Sequence, residues 1–210
     1  MHTIQLTLGP YGTNCYLVSG KPGWCVVIDP ADEGPRFLRE LEAQGLTPEA
    51  VLLTHGHYDH ILAVPDLQRK WPLLPVYCHP ADCPKALTER DMGQVFPTVS
   101  AFSNLRPLAD GQILSLAGLS VSVLETPGHT PGSVTFQIEE ALFTGDTLFY
   151  VDIGRTDFEG GNYPQILRSL GRLARLEGDF SVLPGHGPST TLDYERRFNP
   201  YLKGGAALEW

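Results

Sequence analysis

Residues 50–54, A-V-L-L-T, are apolar almost without interruption and run straight into H-G-H-Y-D-H at 55–60. A strand with no polar face has to be covered on both sides, so the chain must fold in layers. The polar cluster then falls at the strand's end, where a rigid scaffold presents loop residues. The pattern recurs. Of seven histidines, five follow apolar runs at three places: His55, His57 and His60; His129 in T-P-G-H-T-P-G; His186 in L-P-G-H-G-P. Asp59 sits inside the first cluster, and Asp146 follows a further apolar run in F-T-G-D-T.

The remaining runs suit the same plan. M-H-T-I-Q-L-T-L reads as a first strand, and N-C-Y-L-V-S-G and W-C-V-V-I-D-P as an antiparallel pair around G-K-P-G. Phe37, Leu38 and Leu41 recur at helical spacing over 33–45, closed by Gly45. A short helix over 64–71 and a strand in L-P-V-Y-C-H follow the histidine cluster. Residues 91–105 show no firm period and read as a loop or lid-like insertion. Strands return at 112–116, 119–126, 133–138 and 141–145. A helix over 163–176 carries Ile166, Leu167, Leu170, Leu173 and Leu176 on one face, and a last strand, F-S-V-L-P, ends at G-H-G. Two sheets packed face to face with helices outside, in one domain over 1–210, accommodate this α/β order.

Composition narrows the partners. The net charge is −9 and Lys and Arg form no block, which argues against nucleic acid and anionic membranes. No apolar run approaches the ~18 residues that span a bilayer, and the N-terminus lacks a basic leader. Four cysteines without a C-x-x-C pair suit a reduced, cytoplasmic protein. The expected partner is a small-molecule substrate; the oligomeric state is left open.

The spacing within 55–60 has chemical content. His55 and His57, two apart on extended backbone, point to one side and can grip one ion. Asp59 and His60, in the turn beyond, can reach a second. Imidazole suits zinc or iron, and a carboxylate can bridge two ions. Two ions ~3.5–4 Å apart can hold a hydroxide at neutral pH. A single histidine in a turn is ordinarily just solvated or hydrogen-bonded; seven ligand-type residues at strand ends are not.

H-G-H-Y-D-H resembles the H-x-H-x-D-H signature of the metallo-β-lactamase superfamily, and His129, Asp146 and His186 follow in that family's order. The resemblance implies an αββα sandwich of two mixed β-sheets with metals at one edge. It implies one metal on His55, His57 and His129, another on Asp59, His60 and His186, and Asp146 bridging. Within the family the chain is similar to the glyoxalase II group, through T-H-G-H-Y-D-H, P-G-H-T-P-G-S, F-T-G-D-T-L-F and G-R-T-D-F. That likeness implies a thioester hydrolase with two divalent ions, zinc first and iron or manganese also compatible. S-lactoylglutathione or a related acyl-thiol is the implied substrate, attacked by a metal-bridging hydroxide that Asp59 orients. Asp146, where true β-lactamases of the fold differ, turns the expectation away from antibiotic hydrolysis. G-R-T-D-F is shared with persulfide dioxygenases of the same fold, which use a single iron; an inactive metal-binding module is a further alternative.

Other residues carry narrower expectations. Arg155 reads as half of a buried ion pair with Asp157 or Asp59. Tyr58 and Tyr150 adjoin ligand positions and are expected to line the pocket. His79 reads as a hydrogen-bonding or second-sphere group, with hydrogen bonding favoured. I-L-A-V, just past the cluster, is expected to put bulk beside the pocket where the family places glycine.

Overall fold

The computed structural model describes residues 1–83 and 100–205. Strands β1 (His2–Leu8), β2 (Thr13–Lys21) and β3 (Trp24–Ile28) form an antiparallel meander. Helix α1 (Gly34–Ala43) then crosses to β4 (Thr47–Leu52), parallel to β3, and α2 (Val64–Lys70) to β5 (Val76–Cys78), parallel to β4. β6 (Leu105–Pro107) closes this six-stranded sheet, parallel to β5.

The second sheet holds β7 (Ile113–Leu116), β8 (Leu119–Glu125), β9 (Val134–Ile138) and β10 (Ala141–Gly145), all antiparallel neighbours. A small hairpin, β11 (Leu148–Phe149) and β12 (Asp152–Ile153), leads to α3 (Tyr163–Ala174). β13 (Ser181–Pro184) returns parallel to β10, and β14 (Thr190–Thr191) completes the order β14-β13-β10-β9-β8-β7. Helices α4 (Leu192–Phe198) and α5 (Pro200–Gly205) end the described chain.

The period-2 alternation of strand side chains sorts the core into three layers. Between the sheets lie Tyr16, Val18, Val26, Ile28, Ala50 and Leu52 from one side and Val121, Val123, Phe136, Ile138 and Phe143 from the other. The opposite faces of β2–β4 present Leu17, Cys25, Val27 and Val51 to Phe37 and Leu41 of α1 and Val64 and Leu67 of α2. On the far side, Leu142 and Val182 pack on Leu170 and Leu173 of α3 and on Leu192. The αββα sandwich expected from the sequence is therefore present, with β3 and β4 covered on both faces.

Differences are local. The helix over 163–176 stops at Ala174, after an N-cap in which the Asn162 side chain accepts the Gln165 N–H at 3.0 Å. Leu176 still packs on that layer from the following turn. Of the lid-like reading over 91–105, residues 91–99 lie outside the described residues, and Leu105 opens β6. Of I-L-A-V, Ile61 and Val64 are buried in the layer under α1 and α2, while Leu62 lines a small pocket with Tyr11, Thr13, Tyr58 and Asp59. Among the described residues no helix is long and apolar enough to cross a membrane.

Candidate metal centre

All seven ligand-type residues converge at one edge of the sandwich. β4 delivers the 3₁₀ turn Tyr58–His60 and the two histidines before it. His129 follows β8, Asp146 follows β10, and His186 follows β13. Besides a fully buried set, Asp29, His55 and His60, two donor groups result, His55, His57 and His129, and Asp59, His60 and His186, each set with atoms within 4.8 Å of one another. Asp146 lies between them. Its Oδ1 is 3.4 Å from His60 Nε2, and its Oδ2 is 3.4 Å from His129 Nε2 and 3.6 Å from His186 Nε2.

Outer hydrogen bonds fix which ring nitrogens face inward. The Thr54 hydroxyl donates to Asp29 Oδ2 at 2.6 Å, so His55 Nδ1–H donates to Thr54 Oγ1 at 3.1 Å. His60 Nδ1 donates to Asp29 Oδ2 at 2.9 Å, His129 Nδ1 to the Arg155 carbonyl at 2.7 Å, and His186 Nδ1 to the Tyr11 carbonyl at 3.2 Å. Each leaves Nε2 for the centre, an arrangement typical of metal-binding imidazoles. His57 turns the other way, Nδ1 at 2.8 Å from His129 Nε2.

The donors fit divalent cations. His55 Nε2 and Asp146 Oδ1 are buried with no hydrogen-bond partner, a costly state for groups aimed at a common point. Burial and the adjoining His60, His57 and His129 push His55 well below the ordinary imidazole value, which keeps its lone pair available. Burial acts to lower His60 too, but Asp146, Asp59 and Asp29 outweigh it and raise it to about 10. Burial works to raise Asp59, and the facing His60 and His186 more than reverse this, holding it ionised well below the usual range. His60 and His186 thus lie against the carboxylates of Asp59 and Asp146 in the space a cation would occupy.

A cleft of about 710 Å³ opens over these donors, walled by Tyr11, Tyr58, Phe149, Ile153 and Phe158. Phe158 packs edge-on to His57 and Phe149 to His186. Tyr58 lines this cleft as expected. Tyr150 does not; it stacks on Tyr194 with hydroxyls 3.0 Å apart, because β11 sends Phe149 rather than its neighbour inward. Arg155 does pair with Asp157 through two contacts of 2.7 Å, but the pair is exposed at 56% and 68%, not buried, with the guanidinium over Phe158. His79 is a hydrogen-bonding group: Nδ1 accepts the Ala81 N–H at 3.2 Å, so Nε2 donates to Glu125 at 3.0 Å.

The structure adds Asp29, Thr54 and Thr13 to the site. The Thr13 hydroxyl donates to Asp59 Oδ2 at 3.3 Å. Asp29 was findable, since it closes the apolar run W-C-V-V-I just as Asp146 closes its own strand. Thr13 carries no such signal.

An αββα sandwich with histidines and aspartates gathered for metal at one edge defines the metallo-hydrolase class. Residues 8–186 match the Metallo-beta-lactamase superfamily, and the chain belongs to it. It is 35% identical over 195 residues to the hydroxyacylglutathione hydrolase GloC of Haemophilus influenzae, covering 90% of this chain and 92% of that one. Among solved structures, BLEG-1 B3 metallo-beta-lactamase superposes with a TM-score of 0.87 at 35% identity, over 97% of this chain and all of that one. TTHA1623 in a di-iron-bound form does so with a TM-score of 0.83 at 41% identity, over 95% of this chain and all of that one.

Proposed function

We propose that this metallo-hydrolase cleaves a thioester, with Asp59, His60 and His186 holding one cation and His55, His57 and His129 another. The observation that carries the two-cation centre is Asp146, whose carboxylate reaches both histidine groups, His129 at 3.4 Å and His60 and His186 at 3.4 and 3.6 Å. When bound, two divalent cations supply a water acidified to near neutral pH and Lewis-acid charge for the oxyanion. Asp59, steadied by the Thr13 hydroxyl, would orient the attacking water as a hydrogen-bond acceptor. Tyr58 and Tyr11, stacked edge-on at 5.8 Å, form a wall for the acyl group. The departing thiol ionises near ~8.5, so no further proton donor is needed. A relative of matching length that bears the name hydroxyacylglutathione hydrolase supports the thioester class. A di-iron-bound neighbour supports two-ion occupancy with zinc, iron or manganese. Free thiols throughout, three of them buried, suit a reducing cytoplasm.

The likeness to BLEG-1 favours a second reading, β-lactam hydrolysis by the same cleft. The test is metal content together with turnover of S-acyl thiols, a β-lactam and glutathione persulfide on one sample. Two equivalents of metal and thioester turnover that falls at least about 100-fold in Asp59→Ala are expected. One iron with oxygen consumed on the persulfide would replace the hydrolase reading by the dioxygenase one. No turnover at all with metal restored would leave a binding module.

A further inference from the structure

Asp82 touches none of the inward-facing donors, yet it joins the two loops that carry three of them. Its side chain is fully buried. Oδ2 accepts the Gly56 N–H at 2.9 Å and the Thr130 hydroxyl at 2.7 Å, and Oδ1 accepts the Gly132 N–H at 3.0 Å. Gly56 separates His55 from His57, while Thr130 and Gly132 follow His129. One carboxylate thus ties together a donor group whose His57 and His129 lie 72 residues apart.

The fit is close at both glycines and excludes a side chain at Gly132 unless Asp82 moves. A Cβ on Gly132 would lie 2.6 Å from Asp82 Cγ, and one on Gly56 would lie 3.0 Å from the Asp82 carbonyl oxygen. The carboxylate is itself mounted on His79, whose carbonyl accepts the N–H groups of Asp82 and Cys83 at 2.9 and 3.0 Å. His79 is held in turn by Glu125 at 3.0 Å. Three donors converge on two oxygens, a demand only a carboxylate meets. An asparagine would face an N–H of its own toward Gly132 or toward Gly56, whichever way its amide turned.

We infer that Asp82 is a positioning residue that fixes the spacing of His55 and His57 against His129, and so sets the cation affinity of that group. The inference rests on the metal-ligand reading above. It is tested by zinc titration against a chromophoric chelator in two backgrounds, Asp59→Ala, where only the first donor group is complete, and His57→Ala, where only the second is. Asp82→Asn should weaken zinc binding about 10–100-fold in the first background and leave the second unchanged. Thr130→Val, a milder change, should weaken the first group in the same direction, and Thr130→Ser should match the parent; this pair carries the test if Asp82→Asn does not fold. Unchanged affinity in the Asp59→Ala background overturns the inference. Equal losses in both backgrounds, with a parallel fall in the melting temperature of the metal-free protein, also overturn it, since Asp82 would then be structural only. A parent protein that takes up no zinc would bring down the metal-ligand reading itself.

Discussion

Asp29 shows how much a single side chain can govern without touching substrate. It accepts the Thr54 N–H at 2.8 Å, the Thr54 hydroxyl at 2.6 Å and His60 Nδ1 at 2.9 Å, and through Thr54 it also fixes the ring of His55. One carboxylate therefore orients a histidine of each donor group. Its backbone is left-handed, with φ of 49°, a conformation asparagine also tolerates. Asp29→Asn should thus keep the backbone and disturb only the hydrogen bonds, setting an amide N–H against donors already in place. We expect a loss of about 1–3 kcal/mol in urea unfolding, from a buried donor left unmatched, and roughly 10–100-fold weaker metal binding. Unchanged metal affinity would show that His60 and His55 find their rotamers without it. Asp82 and Thr13 mark the limit of reading residues singly. The histidines announced themselves by clustering after apolar runs, whereas an isolated acid or threonine shows its role only once a distant loop packs against it.

At the scale of elements, the loop after β13 depends on β2, far away in the chain. The Asn14 amide donates to the Pro184 carbonyl at 3.1 Å and the Gly187 carbonyl at 2.8 Å, bracketing His186. Its own oxygen accepts from Gln5 at 2.8 Å and Thr7 at 3.0 Å on β1. The Asn14 N–H donates to Gly185 at 2.7 Å and the Tyr16 hydroxyl to Pro184 at 2.7 Å, so two sheets are stitched at this seam. Asn14→Ala removes a fully satisfied buried amide and takes a hydrogen bond from Gly187, Gln5 and Thr7, while the Pro184 carbonyl keeps the Tyr16 hydroxyl. A destabilisation of about 1–3 kcal/mol is expected by equilibrium unfolding, accompanied by weaker binding of the cation that His186 shares with Asp59 and His60. If zinc titration of Asn14→Ala matches the parent at both groups, the clamp serves stability alone. N-C-Y-L-V was legible as a strand because its apolar residues are its own. Asn14's role was not, because its partners lie 170 and 173 residues away. The same contrast separates α3, whose apolar stripe declares it, from the two-residue strands β11 and β12, too short to show any period.

For the whole molecule, the donors come from both halves of the sandwich. His55, His57, Asp59 and His60 hang from the sheet of β1–β6, and His129, Asp146 and His186 from the sheet of β7–β10, β13 and β14. The layering was readable because β3 and β4 are apolar on both faces. The parallel pairing of β10 with β13 was not, since nothing local in either strand encodes a partner across α3. That pairing brings Asp146 beside His186, with the Gly185 N–H donating to the Gly145 carbonyl at 2.9 Å. Cations bound here would cross-link the sheets at the edge, where the seam is polar and the hydrophobic core has ended. They would bind the folded chain more tightly than the unfolded one, which keeps His55, His57, Asp59 and His60 together but separates His55 from His186 by 131 positions. Such a ligand present at about 100 times its Kd adds about 2.7 kcal/mol, and for a chain of this size each kcal/mol shifts Tm by about 2–4 °C. Chelation should therefore lower the melting temperature by about 5–10 °C, reversibly on adding zinc back. His57→Ala and His186→Ala proteins, each lacking a ligand from a different sheet, should show a smaller response to the chelator than the parent does. A parent melting temperature indifferent to chelation, in protein shown by direct analysis to have carried metal beforehand, would mean that the sheets hold this edge together without it.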